Sequence, residues 1–238
     1  MDPLPVRLRY ASAQFFVAGG VSVSFTAVSA KVKNIGFAKD VAVLHGKGGV
    51  WEEEPLQWSA NFGDHDIFTH QIQKQIDECV IRYSVNGQTF WDNNGWQNYR
   101  FNQVNVTGGN VVLNKAVAKR GTEAGGGFVF TTSWIEGEIY VNNLSFVKDV
   151  GIRFSADGGA TWLDNSATYA GAATESNSIG GKGVEVWRFR TPEFNLNPAS
   201  DQFLFAVFYR NGATGEVFWD NNFAQDYHLS KVDGAQVE

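Results

Sequence analysis

A chain of 238 residues, 43% of them hydrophobic, is long enough for one large or two ordinary packed domains, which argues against a disordered chain. The formal net charge of −6, without a basic stripe in either half, argues against a partner held by its phosphate backbone. The single cysteine excludes an internal disulfide, and no apolar run reaches the roughly eighteen residues of a membrane-crossing helix.

In chain order, Met1-Asp2-Pro3-Leu4-Pro5 lacks the basic start and apolar stretch of a secretion leader. The expected compartment is therefore either cytoplasmic or that of a secreted chain whose leader has been cut away. Gly20–Val28 reads as a strand, rich in β-branched and aromatic residues. Glu52-Glu53-Glu54 reads as a solvated turn. Asp64-His65-Asp66 has metal-type side chains but no further histidine at ligand spacing, so neither a metal nor another cofactor is expected. Gln71–Val80 is the one stretch with helical character, and Cys79 within it is a core position. Asn86-Gly87 is turn chemistry, and Thr107-Gly108-Gly109-Asn110 reads as a joint, with the boundary near Val104–Asn110. Gly125-Gly126-Gly127 lacks the lysine of a phosphate loop and reads as a flexible turn. Glu138–Val141, Glu185–Arg190 and Phe203–Tyr209 are further strands, and the Gly/Ser/Ala-rich stretch 171–183 reads as a long surface loop.

The chain repeats itself. Trp91-Asp92-Asn93-Asn94 returns as Trp219-Asp220-Asn221-Asn222, each copy preceded by an aromatic (Phe90, Phe218) and followed five residues later by a tyrosine (Tyr99, Tyr227). VKNIGFAKDV from Val32 matches VNNLSFVKDV from Val141; Gly48-Gly49 and Trp51 match Gly158-Gly159 and Trp162; Trp58 matches Tyr169; Asn86-Gly87 matches Asn211-Gly212. These signals predict an all-β chain of two antiparallel β-sandwich domains in tandem, 1–107 and 108–238.

The quoted motifs, in this order and present twice, resemble carbohydrate-binding module family 21. The resemblance implies immunoglobulin-like sandwiches that bind α-1,4-glucan (starch, amylose, glycogen, maltooligosaccharides) without catalysis. In such modules one sugar site is built from the tryptophan after the glycine turn and the aromatic of the Asp-Asn-Asn element. By resemblance these are Trp51 and Trp91 in the first copy and Trp162 and Trp219 in the second. An indole offers a flat π face to the C–H face of a pyranose. Asn93, Asn94, Asn221 and Asn222 are candidate readers of sugar hydroxyls, with Asp92 and Asp220 as acceptors. Tyr99 and Tyr227 close the motif, where core packing and sugar contact are equally open readings. The resemblance implies a second site at Phe37 and Trp58, with Lys39 as rim donor, and at Phe146 and Tyr169, with Lys148. Phe90 and Phe218 should point inward. Trp96 is an extra aromatic beside the first site, and Phe223 is expected to take its part in the second.

Catalysis lacks a candidate. Ser155-Ala156-Asp157-Gly158-Gly159-Ala160-Thr161-Trp162 matches the Asp-box of sialidase-like propellers, but it is a hairpin element, occurs once, and falls on the turn matching Gly48-Gly49. The acidic run at Glu52 has no carboxylate-pair counterpart in the second copy. Two other readings stay open: a glycogen-targeting scaffold for a protein phosphatase or another enzyme, and a glycoside hydrolase. The family's targeting subunits dock through a basic-x-Val-x-Phe strand; Val21-Ser22-Val23-Ser24-Phe25 has the Val-x-Phe without the basic residue and reads as an ordinary strand. Expected partners are an α-glucan and an enzyme domain or phosphatase of the parent protein; no nucleic acid and no membrane are expected.

Overall fold

The computed structural model describes residues 4–101, 105–173, 183–195 and 200–238. They gather into two compact units, built around Met1–Gly109 and around Asn110–Gly171 with Glu185–Glu238. Among the described residues every regular element is a strand. None is a helix long and apolar enough to cross a membrane. The expected boundary near Val104–Asn110 and the long loop at 171–183 each include residues outside the described set.

In the first unit the strands are β1 (Val6–Ala18), β2 (Val21–Lys33), β3 (Lys39–Lys47), β4 (Val50–Pro55), β5 (Gln57–Asn61), β6 (His65–Ile72), β7 (Glu78–Val85), β8 (Gln88–Asp92), β9 (Tyr99–Arg100) and β10 (Asn105–Thr107). One sheet runs β10-β1-β2-β6-β5 and the other β4-β3-β7-β8, with β9 on β7. Inward residues of both sheets share one apolar core, among them Leu8, Val28 and Ile72 of the first and Val43, Ile81 and Tyr83 of the second. Period-2 alternation produces this: Ile81 and Tyr83 turn in while Arg82 and Ser84 face out. Cys79 is fully buried in this core, and burial pushes its thiol up to about 12, so the thiol is inert at neutral pH.

The second unit contains β11 (Val111–Gly125), β12 (Phe128–Asn142), β13 (Lys148–Ser155), β14 (Leu163–Ser166), β15 (Thr168–Ala172), β16 (Val184–Arg190), β17 (Phe194–Asn195), β18 (Gln202–Asn211), β19 (Val217–Asp220), β20 (Tyr227–Ser230) and β21 (Gln236–Val237). Its sheets run β15-β16-β12-β11-β21, with β17 on β12, and β14-β13-β18-β19, with β20 on β18. Strand register superposes the repeat. Ala42 pairs with Pro55 and Arg82, and Arg82 with Trp91. Gly151 pairs with Ser166 and Phe208, and Phe208 with Trp219.

Register also corrects one match. Lys39 pairs with Val85 and Lys148 with Asn211, so Asn211 aligns with Val85, and residues 212–216 replace the tight turn Asn86-Gly87. That tight turn uses positive φ at both positions, 52° and 73°. Two local expectations fail as well. Residues 73–77 form bends with Ile76 in the core, without helix. Glu52, Glu53 and Glu54 lie on β4 instead of a turn, because β4 must pair with β3 at the sheet edge. Each has a partner: Lys74, Arg82, and His45 with His70.

Candidate functional site

The Trp-Asp-Asn-Asn element ends an edge strand in both units, and its four side chains divide sharply. Asp92 is buried, and its Oδ2 accepts the backbone N–H of Leu8 at 2.6 Å and the Tyr99 hydroxyl at 2.8 Å. Leu8 stands at a β-bulge of β1, on the opposite sheet. The second unit repeats the device: Asp220 Oδ2 accepts Leu113 N–H at 2.9 Å, at the matching bulge of β11, and the Tyr227 hydroxyl at 2.8 Å. Burial pushes the Asp92 carboxyl above its usual value, against the opposing pull of the Leu8 and Tyr99 bonds. Asp92, Tyr99, Asp220 and Tyr227 therefore leave the candidate sugar face. They are internal clamps between the two sheets of each unit; Asp92 and Asp220 are buried, and Asp92 also borders the cavity described below.

The asparagines close their own loop. Asn93 Oδ1 accepts Trp96 N–H at 3.0 Å, and Asn221 Oδ1 accepts Ala224 N–H at 3.1 Å. Asn94 Nδ2 donates to Asn98 O at 3.2 Å, and the buried Asn222 donates to Asp226 O at 3.0 Å. Asn222 is thus removed from the sugar face by burial. Asn94 and Asn221 are turn formers that reach the surface. Asn93 alone of the four lines the cavity described next, and among the described residues its Nδ2 has no protein partner.

Trp51 and Trp91 share an open cavity of ≈ 740 Å³, with Val80, Asn93 and Trp96 also in its walls. β4 and β8 are the edges of their four-strand run, about three strand spacings of ~4.8 Å apart. Trp51 leans inward over Gly46, where a Cβ would stand 3.1 Å from the indole; glycine leaves the room the ring uses. Val80 lies on the outer face between the tryptophans and forms an apolar floor. Trp96 is 91% exposed, held at φ 70°.

The second unit keeps the two positions and changes their surroundings. Trp162 directly precedes β14 at the register of Trp51, and Trp219 holds that of Trp91; both are partly exposed. Ser155 stands in the place of Gly46, and Arg153 in that of Leu44. The Arg153 guanidinium lies over the Trp219 ring, 5.3 Å from its centroid, while Asp164 holds it through a two-point bond. Phe223 does not take the part of Trp96. Positive φ runs through Asn94, Gly95, Trp96 and Asn98 in one loop and through Asn222, Phe223, Ala224 and Asp226 in the other, so Phe223 matches Gly95 and Ala224 matches Trp96. Phe223 is 3% exposed.

The expected second sites share another pattern. Phe37 and Phe146 are fully exposed, and Trp58 and Tyr169 largely so. Lys39 is a half-buried partner of the buried Asp66 at 2.7 Å, and Asp66 also accepts from Trp58 and Asn61. Lys148 bonds Glu185 at 2.9 Å and Asn143 at 2.6 Å; Glu185 accepts the Trp187 indole N–H, and Tyr169 packs edge-on against Trp187. The lysines are therefore internal tethers for the loops carrying Phe37 and Phe146, which corrects their reading as rim donors. Trp187 escaped the sequence reading because it sits inside an ordinary strand pattern; its only signal was the carboxylate two residues earlier. The Asp-box residues are a folded turn: Asp157 accepts the Thr161 amide and hydroxyl, and Ser155 Oγ accepts Gly159 N–H.

The family model for the carbohydrate/starch-binding module (family 21) matches residues 126–230. Within the second unit, then, the chain is similar to that family. Protein phosphatase 1 regulatory subunit 3C of Bos taurus is 32% identical over 108 residues, 44% of this chain and 32% of that protein. Regulatory subunit 3E of Mus musculus is 36% identical over 95 residues, 40% of this chain and 30% of its own length. The chain thus spans about a third of these curated relatives. The solved starch-binding domain of Rhizopus oryzae glucoamylase, in complex with beta-cyclodextrin and maltoheptaose, is similar at 23% identity and a TM-score of 0.31, covering 43% of this chain and 97% of that one. The family 21 match falls on the second unit, whereas the three-tryptophan cavity lies in the first.

Proposed function

We propose that the chain is a non-catalytic α-1,4-glucan-binding protein made of two immunoglobulin-like family 21 modules in tandem, residues 1–107 and 108–238. The observation that carries this reading is the cavity walled by Trp51, Trp91 and Trp96 over Val80. Three indoles around an apolar floor suit the C–H faces of successive pyranose rings, and Asn93 Nδ2 is placed to donate to a hydroxyl. The second module offers Trp162 and Trp219 at the same register, with Arg153 to be displaced first. Phe37 with Trp58, and Phe146 with Tyr169, form the secondary sites, where phenylalanine stacks without hydrogen bonding. Two modules that reach one polymer gain avidity without new contacts.

Affinity electrophoresis in gels containing amylose, glycogen, pullulan or soluble cellulose derivatives tests the reading. Retardation by the α-glucans alone is expected; equal retardation by the β-glucans overturns the ligand class. Sustained release of reducing sugar from soluble starch overturns the absence of catalysis.

A second reading is supported by relatives that are regulatory subunits of protein phosphatase 1. In it the chain carries a phosphatase to glycogen. Val23 and Phe25 already pair with Phe16 and Gln14 of β1, so a docking strand here would first have to leave its hairpin. Co-sedimentation of the phosphatase catalytic subunit with glycogen, dependent on this chain, would favour targeting over simple binding.

A further inference from the structure

We propose that the first unit binds a divalent metal ion of the zinc class between His45, Glu54 and His70, with Glu52 as a fourth ligand. The residues come from three strands. His45 lies on β3, Glu52 and Glu54 on β4, and His70 on β6 of the opposite sheet, so the group closes the flank of the sandwich where its two sheets meet. Alternation on β4 turns Glu52 and Glu54 away from the face that carries Trp51, so this site is separate from the tryptophan cavity.

Three of the donors converge, His45, Glu52 and Glu54, and His70 meets the other carboxylate oxygen of Glu54. His45 Nε2 stands 2.9 Å from Glu54 Oε1, and His70 Nε2 stands 2.6 Å from Glu54 Oε2. One donor atom each from His45, Glu52 and Glu54 lies within 4.8 Å of the others. Zinc bonds of about 2.0–2.2 Å bring tetrahedral ligands to roughly 3.4 Å from one another. Small rotations of Glu52 and Glu54, both on the edge strand and partly solvated, cover the difference.

His45 supplies the independent signal. Its side chain is 1% exposed, and its Nε2 points into the group, where Glu54 Oε1 is its partner. An imidazole kept for packing alone would be an apolar residue at less cost, and the second unit has Phe154 at that register. Leu163 and Asn165 there replace Glu52 and Glu54, so the second unit has no equivalent set.

The charge balance favours a cation. Two carboxylates beside two imidazole ligands match the charge of a divalent ion. Two nitrogen and two oxygen donors suit zinc, whereas calcium and magnesium prefer all-oxygen sets. Lys74 occupies Glu52 at 2.7 Å and is the cation the metal displaces.

The test is calorimetric titration of the chelator-treated full chain with Zn²⁺ alone, with Ca²⁺ and Mg²⁺ as competitors. One saturable equivalent is expected, undisturbed by either competitor. His70→Ala and Glu54→Gln should each weaken binding by about tenfold or more, while Lys74→Ala tightens it and His228→Ala, in the second unit, leaves it unchanged. Both ligand positions are partly exposed, so the variants should fold, which far-ultraviolet circular dichroism checks. If a variant does not fold, the wild-type chain loaded with Co²⁺ decides: an intense visible tetrahedral spectrum supports the site, and a weak six-coordinate one overturns it. No saturable Zn²⁺ binding by wild type, or unchanged binding in folded His70→Ala and Glu54→Gln, also overturns it.

Discussion

Residues 94–98 and 222–226 follow the same left-handed path, and the side chains they carry divide the two units. In the first, Gly95 takes one positive-φ position freely and Trp96 takes the next, projecting its indole to solvent. In the second, Phe223 and Ala224 hold those positions, so the aromatic turns inward and the outward position carries only a methyl. Each non-glycine residue in this region costs about 1–2 kcal/mol, and both loops bear that strain. The path itself therefore belongs to the fold, set by the Asp clamp and the asparagine bonds. What the loop offers a ligand is decided by one substituted position.

The sharpest way to break this comparison is to remove the clamp. Asp92→Ala removes the acceptor of the Leu8 N–H and the nearer acceptor of the Tyr99 hydroxyl, and Asp220→Ala removes the carboxylate that Leu113 N–H and the Tyr227 hydroxyl share. A loss of roughly 2–5 kcal/mol is expected for either unit, read by chemical denaturation. Clearly unequal losses would show that the matching bulges are not equivalent supports.

Next in size is the primary site. Trp91→Ala should weaken amylose binding by about tenfold or more, near 1.5–3 kcal/mol. Trp219→Ala should cost less, since Arg153 already covers one face of that indole. Unchanged mobility of a folded double mutant in amylose gels would remove both residues from the site.

Trp96→Ala isolates the third wall and should cost about 0.5–1.5 kcal/mol of binding. Its converse, Ala224→Trp, places an indole on a backbone already at φ 65° and should raise retention by the second unit. Failure of that graft would mean that Arg153 and Phe208, not the missing tryptophan, limit the second site.

A smaller contrast lies in the cores. The Tyr83 hydroxyl donates to Lys33 O at 2.9 Å, while that of Tyr209, at the same register, is buried without a partner. Tyr83→Phe should cost about 0.5–1.5 kcal/mol and Tyr209→Phe close to nothing in thermal unfolding.

The smallest effect is the acid dependence that Asp157 gives the second unit. Bonds from the Thr161 hydroxyl and amide and from Ser155 hold Asp157 down to about 2, from an ordinary 3.8. A depressed carboxyl contributes stability above its unfolded value and loses it as pH falls through the folded one. Asp157→Asn should therefore flatten the unfolding profile of the second unit between pH 3.8 and about 2.

The duplicated, all-β character and the outward tryptophans were legible in the sequence, because alternation and turn residues act locally and the repeat states each signal twice. Trp51, Trp91, Trp162 and Trp219 are all partly exposed. The polar half of the motif was not legible. An aspartate after a strand looks the same whether it faces a sugar or the amide of a bulged strand on the opposite sheet. Lys39 and Lys148 look like rim donors until a carboxylate from another strand covers them. Nor does spacing bring His45, Glu54 and His70 together, since their meeting point is a sheet edge. Composition and periodicity determined which residues alternate, turn and repeat. Burial and partnership, which decide whether a polar side chain binds or braces, depend on strands distant in sequence, and only the tertiary structure joined them.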